Sequence, residues 1–87
     1  MNATDRNTAI SFIRENFIQD EAKSCNLSPY GLKHVIQYLT DGVYMTEQEF
    51  KEIMDELGYK KSPVKAYYRM RLSPRVKRYL KEDGRLC

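Results

Sequence analysis

All three prolines in this chain follow a serine, at Ser28-Pro29, Ser62-Pro63 and Ser73-Pro74. A serine at the N-cap accepts a hydrogen bond from an otherwise unpaired first-turn amide, and a proline at the next position has no amide to leave unpaired. Each pair is therefore a good helix opener, and the pairs divide the chain into legible segments.

Between these marks the apolar residues recur at helical spacing. Ile10, Ile13, Phe17 and Ile18 predict a first helix from about Thr4 or Asn7 to about Ala22, and Leu32, Val35, Ile36 and Leu39 predict a second, opened by Ser28 and stopped at Thr40-Asp41-Gly42. Thr46 followed by Glu49 forms a capping box for a third helix that buries Phe50, Ile53, Met54 and Leu57 and ends at Gly58. A last helix after Ser73-Pro74 carries Val76, Tyr79 and Leu80 inward and stops near Asp83-Gly84, leaving Arg85 to Cys87 as a frayed tail.

One stretch changes period. Val64, Ala66, Tyr68, Met70 and Leu72 alternate with Lys65, Tyr67, Arg69 and Arg71, which suits a half-buried strand. A lone strand leaves its amides unpaired, and Val43 to Met45 is the expected partner. The expected fold is mainly α with a short two-stranded β element, helix-turn-helix or winged-helix-like, with an all-α bundle as the alternative. Ile53, Leu57, Gly58, Tyr59 and Val64 match the apolar positions around a helix-turn-helix glycine, although Met54 stands where the helix crossing prefers a small side chain.

The 87 residues suffice for one small domain, and a chain this short buries only about 60% of the surface its unfolded form exposes. That argues against a deep catalytic cleft. With 41% hydrophobic and 31% charged residues the chain is too apolar to be disordered. No basic start followed by an apolar run, and no apolar stretch of bilayer length, is present, so neither a signal peptide nor membrane insertion is expected. Cys25 and Cys87 are too few for a disulfide scaffold and are read as free thiols in a bacterial cytoplasm.

Segments 28–34 (Ser28-Pro29-Tyr30-Gly31-Leu32-Lys33-His34), 42–46 (Gly42-Val43-Tyr44-Met45-Thr46) and 57–59 (Leu57-Gly58-Tyr59), together with Phe50 and Ala66-Tyr67-Tyr68-Arg69-Met70, resemble a group of small uncharacterised phage- and plasmid-borne proteins with a Ser-Tyr-Gly-Leu-Lys-His helix. The resemblance covers about residues 28 to 73. This chain departs from the group at Pro29, and at Lys65 and Arg69 where asparagine is usual. The resemblance implies a mobile-element setting and carries no activity.

Charge supplies the functional reading. Residues 1–59 hold 5 Lys/Arg against 10 Asp/Glu, whereas residues 60–87 hold 10 Lys/Arg against Glu82 and Asp83. Such polarity points to a polyanionic partner at the basic end, or to two halves of one fold that attract each other. The candidate nucleic-acid contacts are Lys60, Lys61, Lys65, Tyr67, Arg69, Arg71, Arg75, Lys77, Arg78 and Lys81, cations interleaved with a tyrosine as phosphate contact and stacking require.

A second candidate surface joins Tyr30, His34 and Tyr38, opposite the aliphatic stripe of the second helix, to Glu49, Glu52 and Glu56 on the third. The alternatives are aromatic packing against the first helix and a solvated acidic face helped by Lys51 and Asp55. A single histidine, and the absence of nucleophile and phosphate-loop motifs, leave no catalytic residue, metal ligand or cofactor to name. The expected function is binding. The partner is nucleic acid or a host nucleic-acid-binding protein inhibited in the manner of an anti-CRISPR, with virion assembly as a third possibility.

Overall fold

The computed structural model describes residues 2–23, 25, 27–62 and 67–82. Along the chain run α1 (Ala3–Asn16), β1 (Phe17–Gln19), α2 (Pro29–Leu39), α3 (Glu47–Glu56), β2 (Met70–Leu72) and α4 (Pro74–Glu82). The fold is mainly helical with a two-stranded antiparallel sheet, so the expected class holds and the all-α alternative is set aside.

The sheet is not built from the expected pair. Helix α1 starts where the Asn2 side chain accepts from the Asp5 amide at 2.7 Å. It ends at Asn16 instead of continuing to about Ala22. The Asn16 amide donates to the Phe12 carbonyl at 3.0 Å, the kind of local side-chain bond that competes with helix continuation. Phe17 is extended, and β1 pairs with β2 in the register Phe17 with Leu72, Ile18 with Arg71 and Gln19 with Met70. Phe17 and Ile18 fitted the helical spacing of α1, which hid a strand of three residues.

Val43 to Met45 forms no strand among the described residues. Val43 and Met45 are buried and Tyr44 is exposed, so this connection fills the core without a ladder among the described residues. On its other side the 67–72 segment meets residues 60–62, through an isolated antiparallel bridge of Lys61 with Tyr68 and a 2.7 Å bond from the Arg69 amide to the Lys60 carbonyl. The turn at Gly58 (φ +82°) thus leads into an extended segment, and no recognition helix follows it among the described residues. Val64, Lys65 and Ala66, the first part of the expected strand, lie outside the described residues; from Tyr68 on, the alternation is as expected, with Tyr68, Met70 and Leu72 buried and Arg71 exposed.

The helix caps follow the serine and threonine signals. The Ser28 hydroxyl accepts from Gly31 at 3.3 Å, and α2 stops before Gly42 (φ +80°), a backbone conformation that glycine adopts freely. At α3 the Thr46 hydroxyl accepts from the Glu49 amide at 3.1 Å, while the Glu49 carboxylate accepts from the Thr46 amide at 2.9 Å. The bond from the Thr46 amide is the chief reason the Glu49 carboxyl titrates below its ordinary value. Thr46→Ala is expected to cost about 1 kcal/mol, a fall of roughly 4–8 °C in thermal midpoint for a domain of this size. An unchanged midpoint in a melting experiment contradicts the cap. Helix α3 buries Phe50, Ile53 and Met54, whereas Leu57, expected in the core, is half-buried at the helix end.

At α4 the Ser73 hydroxyl accepts from the Val76 amide at 3.3 Å and donates to the Asn16 side-chain oxygen at 2.7 Å. Ser73 and Asn16 are both buried, so the cap also joins the end of α1 to the start of α4. Val76 and Leu80 are buried and Tyr79 is half-buried, as the spacing implied.

Two buried tyrosines behave oppositely. The Tyr59 hydroxyl donates to the Phe17 carbonyl and lies 3.3 Å from the Ile13 carbonyl. The Tyr68 hydroxyl is fully buried with no hydrogen-bond partner among the described residues, and burial, reinforced by Asp55 and Glu47, pushes its pKa up from 10.0 to about 12. Tyr68→Phe is expected to stabilise the domain at neutral pH by about 1–2 kcal/mol, because an unsatisfied buried hydroxyl carries its desolvation cost. The pH dependence has the same origin. Between pH 10 and about 12 the unfolded chain loses a proton that the folded chain retains, so wild-type stability falls across that window. The phenylalanine variant should show a shallower alkaline loss in denaturant titrations.

Cys25 is buried and disulfide-bonded, which corrects the free-thiol reading. Cys87 lies outside the described residues, as do Pro63, Asp83 to Leu86 and their expected roles.

Candidate nucleic-acid interface

Of the ten candidates, nine cations and one tyrosine, the nine described residues fall into three groups in space. The turn after β1 brings Asp20 and Glu21 against the first group. Lys60 forms an ion pair with Glu21, and this bond chiefly holds the Glu21 carboxyl below its ordinary range. Arg69 is half-buried and donates to the Glu21 backbone carbonyl at 2.8 Å, while Arg71 lies 3.8 Å from Asp20. Part of the charge split is thus satisfied inside the fold. Lys61 sits 5.9 Å from the centre of the Tyr68 ring, and Tyr67 is half-buried instead of presented as an open stacking face.

Lys65 lies outside the described residues. Arg75 is the second kind of case, a cation used in packing. It donates to the Leu39 carbonyl at 2.8 Å and its guanidinium lies 5.6 Å from the Phe12 ring centre, so it ties α4 to α2 and α1.

Lys77, Arg78 and Lys81 form the third group. All three are exposed on α4, and none makes an ion pair among the described residues. At 100° per residue, Val76, Tyr79 and Leu80 turn toward the core and the opposite arc runs through Arg75, Arg78, Lys81 and Lys77. Lys77 also reaches a groove shared with Arg71, Lys23 and Asp20 beside β2. Lys23 was not among the sequence candidates, because it stands alone in the acidic half and only the fold sets it beside β2.

The second candidate surface has an aromatic part on α2 and an acidic part on α3. Tyr30 and Tyr38 are exposed and His34 is half-buried, but their partners are not on α1. Tyr30 meets His34 edge-on at 4.5 Å, and Tyr38 lies 5.8 Å from Tyr79 of α4. The Lys33 ammonium sits 5.0 Å from the Tyr30 ring centre and 5.1 Å from that of Tyr44. Tyr44 and Tyr79 were missed, since nothing in linear spacing places them beside this stripe, and Lys33 was missed although it lies three residues from Tyr30 on the same helix.

The three glutamates line a shallow groove with Arg6 and Ile53. Glu49 serves the α3 cap, Glu52 accepts from Gln48 at 3.4 Å and Glu56 pairs with Arg6 across to α1. Lys51 pairs with Glu47 at 4.0 Å, not with Asp55.

Among the described residues no three His, Cys, Asp or Glu side chains gather as a metal site, and no helix is long and apolar enough to cross a membrane. The arrangement offers exposed positive charge along α4. No family model matches the chain, and neither curated proteins nor solved structures show significant similarity to it.

Proposed function

We propose that this protein binds nucleic acid through the outer arc of α4 and the adjoining groove, as an accessory protein of a phage or other mobile element. The observation that carries the reading is the exposed cluster of Lys77, Arg78 and Lys81, which makes no ion pair among the described residues, whereas Asp20 and Glu21 take up cations nearer the sheet. Three exposed cations on a nine-residue helix repel one another, which a polyanion relieves. Lys23 and Arg71 extend the positive surface toward β2. Contacts of this kind go to phosphates, so affinity would be governed by counterion release and sequence preference would be slight. The setting this reading asks for is the cytoplasm of a bacterial host.

The second reading is an inhibitor that turns its acidic α3 face toward the basic groove of a host nucleic-acid-binding protein, and the exposed Glu52, Asp55 and Glu56 favour it. A titration separates the two. Fluorescent single- and double-stranded oligonucleotides titrated with the protein at 50 and 200 mM salt should show binding that weakens steeply with salt. Absence of binding at 50 mM would overturn the nucleic-acid reading and leave the inhibitor.

A further inference from the structure

We infer that the nucleic acid is single-stranded, with its bases stacked on an aromatic row along α2 and its phosphates on α4. The inference rests on the nucleic-acid reading above and names the substrate class for it.

Three large apolar side chains are exposed among the described residues, and all are tyrosines: Tyr30 at 58%, Tyr38 at 68% and Tyr44 at 59%. They are not scattered. Tyr44 and Tyr30 flank the Lys33 ammonium, Tyr30 meets His34, and Tyr38 stands one helical turn beyond His34. From Tyr38 the row crosses to Tyr79, whose ring plane is tilted only 30° from that of Tyr38. Tyr79 belongs to the basic helix, and Arg75, Arg78 and Tyr79 are surface neighbours there by i, i+3 and i+4 spacing. The aromatic row therefore runs into the cationic arc that continues through Arg78 and Lys81 to Lys77.

Open tyrosine rings have no use on a duplex, whose base faces are already stacked on one another. A single strand presents free π-faces beside its phosphates, and alternating rings and cations match both. Exposed tyrosines also suit a protein hot spot. Here the row runs at its α4 end into the exposed cations Arg75 and Arg78, and its other cation, Lys33, is buried between Tyr30 and Tyr44, so the open positive charge lies at the α4 end, which favours a polyanion there.

The test uses the whole chain with a labelled oligothymidylate and a duplex of equal length, read by fluorescence anisotropy, for wild type, Tyr38→Ala, Tyr38→Phe and Tyr30→Ala. Tyr38 and Tyr30 are exposed, so these variants should keep the wild-type melting midpoint. Tyr38→Ala is expected to weaken single-strand binding about 5- to 150-fold, the range for losing one stacking ring, while duplex binding stays within about twofold and Tyr38→Phe remains near wild type. Because the chain has 7 tyrosines and no tryptophan, its intrinsic fluorescence reports on these rings, and single-strand binding should quench it less in Tyr38→Ala. Equal wild-type affinity for the two oligonucleotides, with both alanine variants unchanged, would overturn the single-strand inference alone. It would leave nucleic-acid binding by α4 standing and the tyrosine row as a protein-binding surface. No binding to either oligonucleotide would overturn both.

Discussion

Phe17→Ala is expected to leave most of the chain unfolded at 37 °C. Phe17 is completely buried, packs edge-on against Phe12 at 5.7 Å between ring centres, and opens the strand that pairs with Leu72. Its carbonyl also accepts the Tyr59 hydroxyl. Truncating a buried phenylalanine costs about 3–5 kcal/mol, and a single core of this size supplies roughly that much net stability. The loss is read as a collapsed far-ultraviolet dichroism signal, or as a denaturant midpoint near zero. A variant that melts within a few degrees of wild type would mean that the junction of α1 and β1 does not hold the core together.

The joint change Lys77→Ser, Arg78→Ser and Lys81→Ser should have the largest effect on binding. Each phosphate contact contributes about 0.9 to the slope of log affinity against log salt on a duplex, so losing three lowers the slope by about 3 and the affinity at 50 mM salt on the order of a thousandfold. These side chains are exposed and make no ion pair among the described residues, so the melting midpoint should hold or rise slightly as repulsion is relieved. Serine replacement of Arg69 and Arg71 is a poorer experiment. Arg69 donates to the Glu21 backbone, and removing it would disturb the turn that carries Asp20 and Glu21. A triple variant with an unchanged salt slope would show that α4 makes no phosphate contacts.

The parts of this fold that the sequence made legible are those set by local chemistry. Thr46 with Glu49, Ser28 before Pro29 and Ser73 before Pro74 are caps whose partners lie within three residues, and each forms as the residues imply. The alternation that exposes Arg71 and buries Tyr68, Met70 and Leu72 is likewise a property of one short segment. The partner strand was hidden because Phe17 to Gln19 is too short to display a period of its own and continues the spacing of α1.

The candidate surface follows the same division. Lys77, Arg78 and Lys81 could be placed on an outer face from helical spacing alone. That Asp20 and Glu21 satisfy Lys60 and Arg71 could not, since a count of charges along a chain does not say which of them meet. Tyr44 and Tyr79 join the tyrosine row only through tertiary packing, and Cys25 enters a disulfide that the spacing of two cysteines did not suggest.

The bond between Ser73 and Asn16 spans 57 residues of sequence, and the β1–β2 ladder beside it spans nearly as many. During synthesis the first strand leaves the ribosome with its edge unpaired, and it stays so until almost the whole chain has followed. Local helices can form meanwhile, but the loop-closure entropy for these contacts must be met before they return any stability. The nascent protein therefore passes through a stage in which Phe17 and Ile18 are exposed on an open strand, the species most prone to pair with a neighbouring copy. Slow translation beyond residue 50 would lengthen that stage, and chaperone demand for this small domain would depend on how quickly its last third is made.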